Sequence, residues 1–191
     1  MPTDNKYDFF EKELLMHIDA LHNFAFYLSH NQEEADDLVQ ETYYKAFKHI
    51  EYFEDGTNSK AWLFKILKNN FINDYRRKSR SLKRVDFEEV LREYDDEDDV
   101  DLPDEIALDP DVAGLILGDE ITQALKTIPI DYRSLIVLSD LEDFTYEEIS
   151  KILDIPLGTV RSRLHRARAM LKKKLYSYAK GFGINEKNNK H

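Results

Sequence analysis

Three runs of apolar residues, spaced by threes and fours, leave this chain little choice but helices. Phe10, Leu14, Ile18, Leu21, Ala25 and Leu28 make the first. Leu38, Thr42, Ala46 and Ile50, with Val39, Tyr43 and Phe47 beside them, make the second. Leu63, Phe64, Leu67, Phe71 and Tyr75 make the third. That spacing places each set on one side of a 3.6-residue helix, so each has an apolar stripe that must be buried. No alternation by twos persists anywhere, and six Gly and five Pro in 191 residues are few. The expected fold class is all-α.

The first run spans Tyr7 to Leu28 and the second Glu33 to Phe53. After the breaker "FEDGTNS", a third helix is expected from about Ser59, as N-cap, to Arg80. Helical pattern resumes from Val112 to Ile128 and from Tyr132 to Glu142. Then "TYEE" at 145–148 predicts a capping box, with Thr145 at the N-cap and Glu148 three residues on. A short helix to Leu153, a turn around "DIPLG" and a long helix from Thr159 to Tyr178 complete the pattern. Two small helical domains are expected, over residues 1–80 and 112–178. An acidic flexible linker over 81–111 joins them, and a tail follows over 179–191.

Charge lies in blocks. The net charge is -11, yet residues 60–84 sum to +8 and residues 156–175 to +7, with -13 between them over 85–111. Two compact basic patches suit a polyanion held at two places.

The second patch is "PLGTVRSRLHRARAMLKKK", with seven Lys or Arg and no acid. It follows a helix and a short turn, which is the helix-turn-helix arrangement. Val160, Leu164, Ala167 and Leu171 share one stripe and face the core. Arg161, Ser162, His165 and Arg166 then centre on the opposite side, flanked by Arg163 and Arg168. Such side chains hydrogen-bond base edges and phosphates in a major groove. Lys172, Lys173 and Lys174 lie farther along, where phosphate contact is the expected role.

The first patch is "SKAWLFKILKNNFINDYRRKSR". Trp62, Lys65, Asn69, Asn73, Arg76 and Arg77 lie away from its apolar face. Aromatic rings stack on unpaired bases, amides read their edges and cations track the backbone, so this face suits single-stranded nucleic acid. A base taken from a duplex needs a pocket, which the loop "FEDGTNS" is placed to supply. From the residues alone, Trp62 as a core-edge aromatic stays open.

Three segments together, "EEADDLVQETYYKAF", "WLFKILKNNFINDYRRKSR" and "FTYEEISKILDIPLGTVRSRLHRARAMLKKKL", resemble bacterial RNA polymerase sigma factors of the extracytoplasmic-function (ECF) class. The resemblance covers residues 7–80 and 112–176, in order. It implies a sigma-2 domain followed by a sigma-4 domain. Asp37, Leu38, Gln40, Glu41 and Tyr44 would dock on the clamp of the core RNA polymerase largest subunit, and sigma-4 on its flap. The loop from Phe53 to Lys60, with Asn58 and Ser59, would capture a flipped base of the minus-ten promoter element. Trp62, Lys65, Asn69, Asn70, Asn73, Arg76 and Arg77 would hold the rest of that element. Arg161, Ser162, His165 and Arg166 would read the minus-thirty-five element, while Tyr146, Glu147, Thr159, Arg163 and Arg168 fix its backbone. Promoter DNA, core polymerase and an anti-sigma factor are the implied partners. The linker is unusually acidic for this family. It is expected either to shield the basic patches and mimic nucleic acid in the polymerase channel, or to serve as a spacer.

Other chemistries find no support. There is no cysteine, so disulfides, thiol catalysis and Cys-zinc sites are excluded. The six histidines show no metal spacing, no phosphate-loop motif is complete, and no nucleophile–base signature occurs. The expectation is a non-enzymatic protein without cofactor or metal. No run is long and apolar enough to span a membrane and no signal peptide is evident, so the cytoplasm is the expected compartment. The alternative function is an autonomous helix-turn-helix regulator with a sensing bundle at its N-terminus.

Overall fold

The structure is a computed structural model that describes residues 3–54, 56–81 and 118–181. The acidic linker and the tail beyond residue 181 lie outside the described residues. Every described element is helical.

The first run does not form one straight helix. It is α1 (Thr3–Phe9), a π-helical turn (Phe10–Leu14), a 3₁₀ turn (Leu15–His17) and α2 (Ile18–Ser29). A 3₁₀ turn advances about 120° per residue instead of about 100°, so the stripe loses register there. Leu14 and Leu21 are fully buried, but Ile18, expected in the core, is 46% exposed. α2 ends at His30, in the left-handed region at φ 56.

α3 (Gln32–Lys48) starts where Asn31 Oδ1 accepts from Glu34 N. Its apolar side, with Leu38, Val39, Thr42, Tyr43 and Ala46, is buried. A 3₁₀ turn (Ile50–Tyr52) leads to α4 (Ser59–Ser81). Asn58, not Ser59, caps α4: its Oδ1 accepts from Ala61 N at 3.1 Å. The hydroxyl of Ser59 lies instead 3.3 Å from His17 Nε2. Leu63, Phe64 and Leu67 are fully buried, whereas Tyr75, at the outer end of the stripe, is 41% exposed.

The second half comprises α5 (Gly118–Lys126), α6 (Ile130–Ile136), a π-helical turn (Val137–Leu141), α7 (Tyr146–Leu153) and α8 (Leu157–Gly181). The capping box at Thr145 is formed in both directions. Val160, Leu164 and Ala167 are buried, as the stripe requires.

Sequence spacing gave no reason for the two halves to pack together, but they do. α2 and α4 lie against α6 and α7, and one continuous core runs through both halves. Phe64 of α4 is fully buried where the halves meet, stacked on Phe24 of α2 at 5.1 Å and meeting Phe144, just before α7, edge-on at 5.0 Å. Both distances are in the favourable range for aromatic pairs.

Candidate nucleic-acid interface

Helix α8 presents the surface anticipated for it. Arg161, Ser162 and Arg166 are exposed and His165 half-buried, on the side opposite Val160, Leu164 and Ala167. Ser162 Oγ donates to Thr159 O. The turn that places this helix is set by Asp154, left-handed at φ 59, and by Ser150 Oγ donating to Ile155 O at 2.6 Å.

The flanking arginines point elsewhere. Arg168 grips Asp140, with Nε donating to Oδ2 at 3.1 Å and Nη2 to Oδ1 at 2.5 Å, and it also reaches Ser139 Oγ. These charge-assisted bonds raise its pKa further and tie the π-helical turn to α8. Arg163 is half-buried and acts, with Lys68 of α4, on Asp131. Burial raises the Asp131 carboxyl, and those two cations oppose the rise. Tyr146 is half-buried and Glu147 exposed at the start of α7.

On α4, Lys65, Asn69, Asn73 and Arg77 are exposed. Lys68 Nζ donates to Asn69 Oδ1, and Arg77 pairs with Asp74 at 3.2 Å. The side chain of Arg76 lies outside the described set. Trp62 is partly buried and meets Phe53 at 5.2 Å, and Phe53 in turn meets Phe9 at 5.1 Å. Asn70 is placed differently from its neighbours, at 5% exposure. Its Oδ1 accepts from Lys45 Nζ and its Nδ2 donates to Thr42 Oγ1, so its amide bridges α3 and α4.

Asp37, Gln40, Glu41 and Tyr44 lie along an exposed face of α3, while Leu38 turns into the core at 6% exposure. Glu41 pairs with Lys45 at 3.0 Å.

Several residues of the first patch meet the second half of the chain. Asn58 Nδ2 donates to Glu148 Oε1 at 2.6 Å. Lys60 Nζ lies 2.9 Å from Glu142 Oε2, donates to Glu142 O at 2.9 Å, and sits over the Phe144 ring at 4.9 Å. Glu148 is partly buried, which pulls its carboxyl pKa up. The bonds from Thr145 N, from Asn58 and from the Thr145 hydroxyl outweigh this and hold it low.

Arg133 of α6 completes the junction. It is 6% exposed, and its guanidinium bonds Leu28 O at 3.2 Å, His30 Nε2, and Leu125 O and Lys126 O at 3.4 and 3.5 Å. It therefore sits at the carbonyl ends of two helices, α2 and α5, where the helix dipole favours a cation. Burial lowers its pKa to about 10. His30 must be neutral to accept this bond. Burial, then the Arg133 and Lys126 charges, push its pKa down to about 4. Sequence reasoning missed Arg133 because nothing in its local pattern distinguishes it from a surface arginine.

Comparison with known proteins agrees across both halves. Residues 14–81 match Sigma-70 region 2 and residues 118–171 match Sigma-70, region 4. The chain is 33% identical over 171 residues to an ECF RNA polymerase sigma factor, EcfG, of Rhodopseudomonas palustris, covering 88% of this chain and 86% of that one. It is 36% identical over 157 residues to ECF RNA polymerase sigma factor SigE of Mycolicibacterium smegmatis, covering 82% of this chain but 57% of that protein's length. Among solved structures, it resembles the co-crystal structure of sigma factor RpoE with anti-sigma factor NepR from Bartonella quintana. The TM-score is 0.66 at 35% identity, over 87% of this chain and 96% of that one.

Proposed function

The chain belongs to the ECF RNA polymerase sigma factors, and from that premise we propose how its surfaces divide the work of promoter recognition. The protein binds core RNA polymerase, brings it to particular promoters and helps open the minus-ten region. It acts in the cytoplasm and carries out no chemistry itself; bond formation belongs to the polymerase. The exposed face of α3, with Asp37, Gln40, Glu41 and Tyr44, docks on the clamp. Arg161, Ser162, His165 and Arg166 enter the major groove of the minus-thirty-five element. Trp62, Lys65, Asn69, Asn73 and Arg77, with Asn58, Ser59 and Lys60 of the preceding loop, hold the melted minus-ten strand. An anti-sigma factor is the regulatory partner, supported by the RpoE–NepR complex at 35% identity.

The observation that carries this reading is the joint presence of two unlike faces in one chain. One is a helix-turn-helix surface suited to duplex DNA. The other is an aromatic, amide and basic surface on α4 suited to a single strand. An autonomous duplex-binding regulator has no use for the second. The test is transcription in vitro with core polymerase lacking any sigma, on DNA from upstream of the protein's own gene. Initiation at a defined start site on adding the protein supports the proposal. Tight, sequence-specific binding by the protein alone, without initiation, would overturn it.

A further inference from the structure

One polar residue interrupts the buried stripe of α4. Leu63, Leu67 and Asn70 follow one another at steps of four and three, so all three lie on the core side of the helix. An apolar residue would fill the third position without needing partners. Asn70 has two, both on α3: Lys45 Nζ donates to its Oδ1 at 2.7 Å, and its Nδ2 donates to Thr42 Oγ1 at 3.3 Å. Each partner has a second bond of its own. Thr42 Oγ1 donates to Leu38 O at 2.7 Å, and Lys45 pairs with Glu41 at 3.0 Å. Removing the amide therefore orphans neither group, and its worth to stability is small. Thr42 and Lys45 lie three residues apart on α3, about 4.5 Å along its axis. One planar amide thus grips α3 at two heights.

We propose that Asn70 is a positioning residue for strand capture: with Lys45 and Thr42 it fixes the rotation and register of α4 on α3, and so the direction in which Asn69 and Asn73 meet the strand. The inference rests on the function proposed above and deepens it. Apolar burial is non-directional, so leucines alone tolerate a small slide or roll between two helices. Hydrogen bonds weaken steeply off their axis and do not. A buried polar residue at an otherwise apolar position is a known means of setting register between helices, at some cost in stability. Asn69 and Asn73 are exposed, on the side of α4 turned away from Leu67. With side chains reaching about 6 Å from the helix axis, a roll of about 20° moves their amides by about 2 Å. That is more than a hydrogen bond to a base edge tolerates. Asn70 acts through its neighbours on α4 and touches no base itself.

The test uses holoenzyme assembled from core polymerase and the full chain, as parent, N70A, K45M and the double variant. The probes are two fluorescent single strands. One carries the non-template sequence about ten bases upstream of the start site mapped in the transcription assay, and the other has the same bases scrambled. The ratio of their affinities is the strand preference. N70A should lower that ratio about fivefold, the loss of one hydrogen bond to a base edge. K45M should lower it as well, and the double variant should match N70A alone, because Lys45 acts through Asn70. The melting temperature of free N70A should fall by less than about 5 °C. An unchanged ratio in N70A would overturn the proposal. So would an unaffected K45M, which would make Asn70 a direct reader, or losses that add in the double variant. An equal loss on both strands would mark a phosphate contact instead, and a larger fall in melting temperature would mark an ordinary core residue. A parent holoenzyme with no strand preference overturns strand capture itself and this inference with it. A parent that keeps its preference in N70A refutes only the role of Asn70 and leaves the function standing.

Discussion

Replacing Arg133 by Met tests how the two halves are joined. Met retains much of the apolar stem and removes the guanidinium. The two better bonds, to Leu28 O at 3.2 Å and to His30 Nε2, are charge-assisted and contribute about 2 kcal/mol each. The longer contacts to Leu125 O and Lys126 O, with the two helix ends, add about 1 kcal/mol. Opposing this is the burial that lowers the pKa to about 10, a cost of about 3 kcal/mol. The net interaction is therefore about 2 kcal/mol, and unpartnered carbonyls in the variant raise the expected loss to about 2–3 kcal/mol. For a chain of this length that lowers the melting temperature by about 5–10 °C. Calorimetry on the full chain gives the number. Arg133→Lys should recover only part of the loss, since one ammonium cannot reach both helix ends in the plane of a guanidinium. An R133M protein that melts within 1–2 °C of the parent would refute the assignment of Arg133 as a junction.

Three further outcomes are expected. Thr145→Ala removes the cap of α7, whose hydroxyl accepts from Glu148 N at 3.3 Å, and should cost about 1 kcal/mol in urea unfolding. His30 has a folded pKa of about 4, below its ordinary value of 6.5, so the unfolded chain takes up its proton first as pH falls. Stability from this site is thus complete above about pH 6.5 and declines toward pH 4, by about 1 kcal/mol given its partial exposure; His30→Asn, compatible with the left-handed backbone, should flatten that part of the profile. Arg161→Ala or Arg166→Ala should weaken base preference in the upstream promoter element by about 1–3 kcal/mol if its contact is bidentate to guanine, and an unchanged preference in a binding-site selection would remove that residue from the reading face.

Much of this protein was settled locally. The stripe of Val160, Leu164 and Ala167 is both the buried side of α8 and the reason Arg161, Ser162 and Arg166 face outward. Thr145 and Glu148 form their capping box from neighbours three residues apart. Such features are legible because a helix fixes the relative direction of residues a few positions apart, whatever it packs against. Where the helix itself changes pitch, as at Leu15–His17, the inference slips and Ile18 emerges at the surface. Long-range pairing follows a different logic. Lys60 meets Glu142 and Arg133 meets Leu28 and His30, pairs separated by 82, 105 and 103 positions. Spacing carries no information about such partners, and a Lys or Arg destined for an interface has the same local pattern as one bound for solvent. Sequence therefore determined the helices, the two basic surfaces and the family. Tertiary packing alone decided that Asn58 and Lys60, at the edge of the first of those surfaces, meet the other half of the chain, because burying Phe24, Phe64 and Phe144 in one core carries Lys60 onto Glu142.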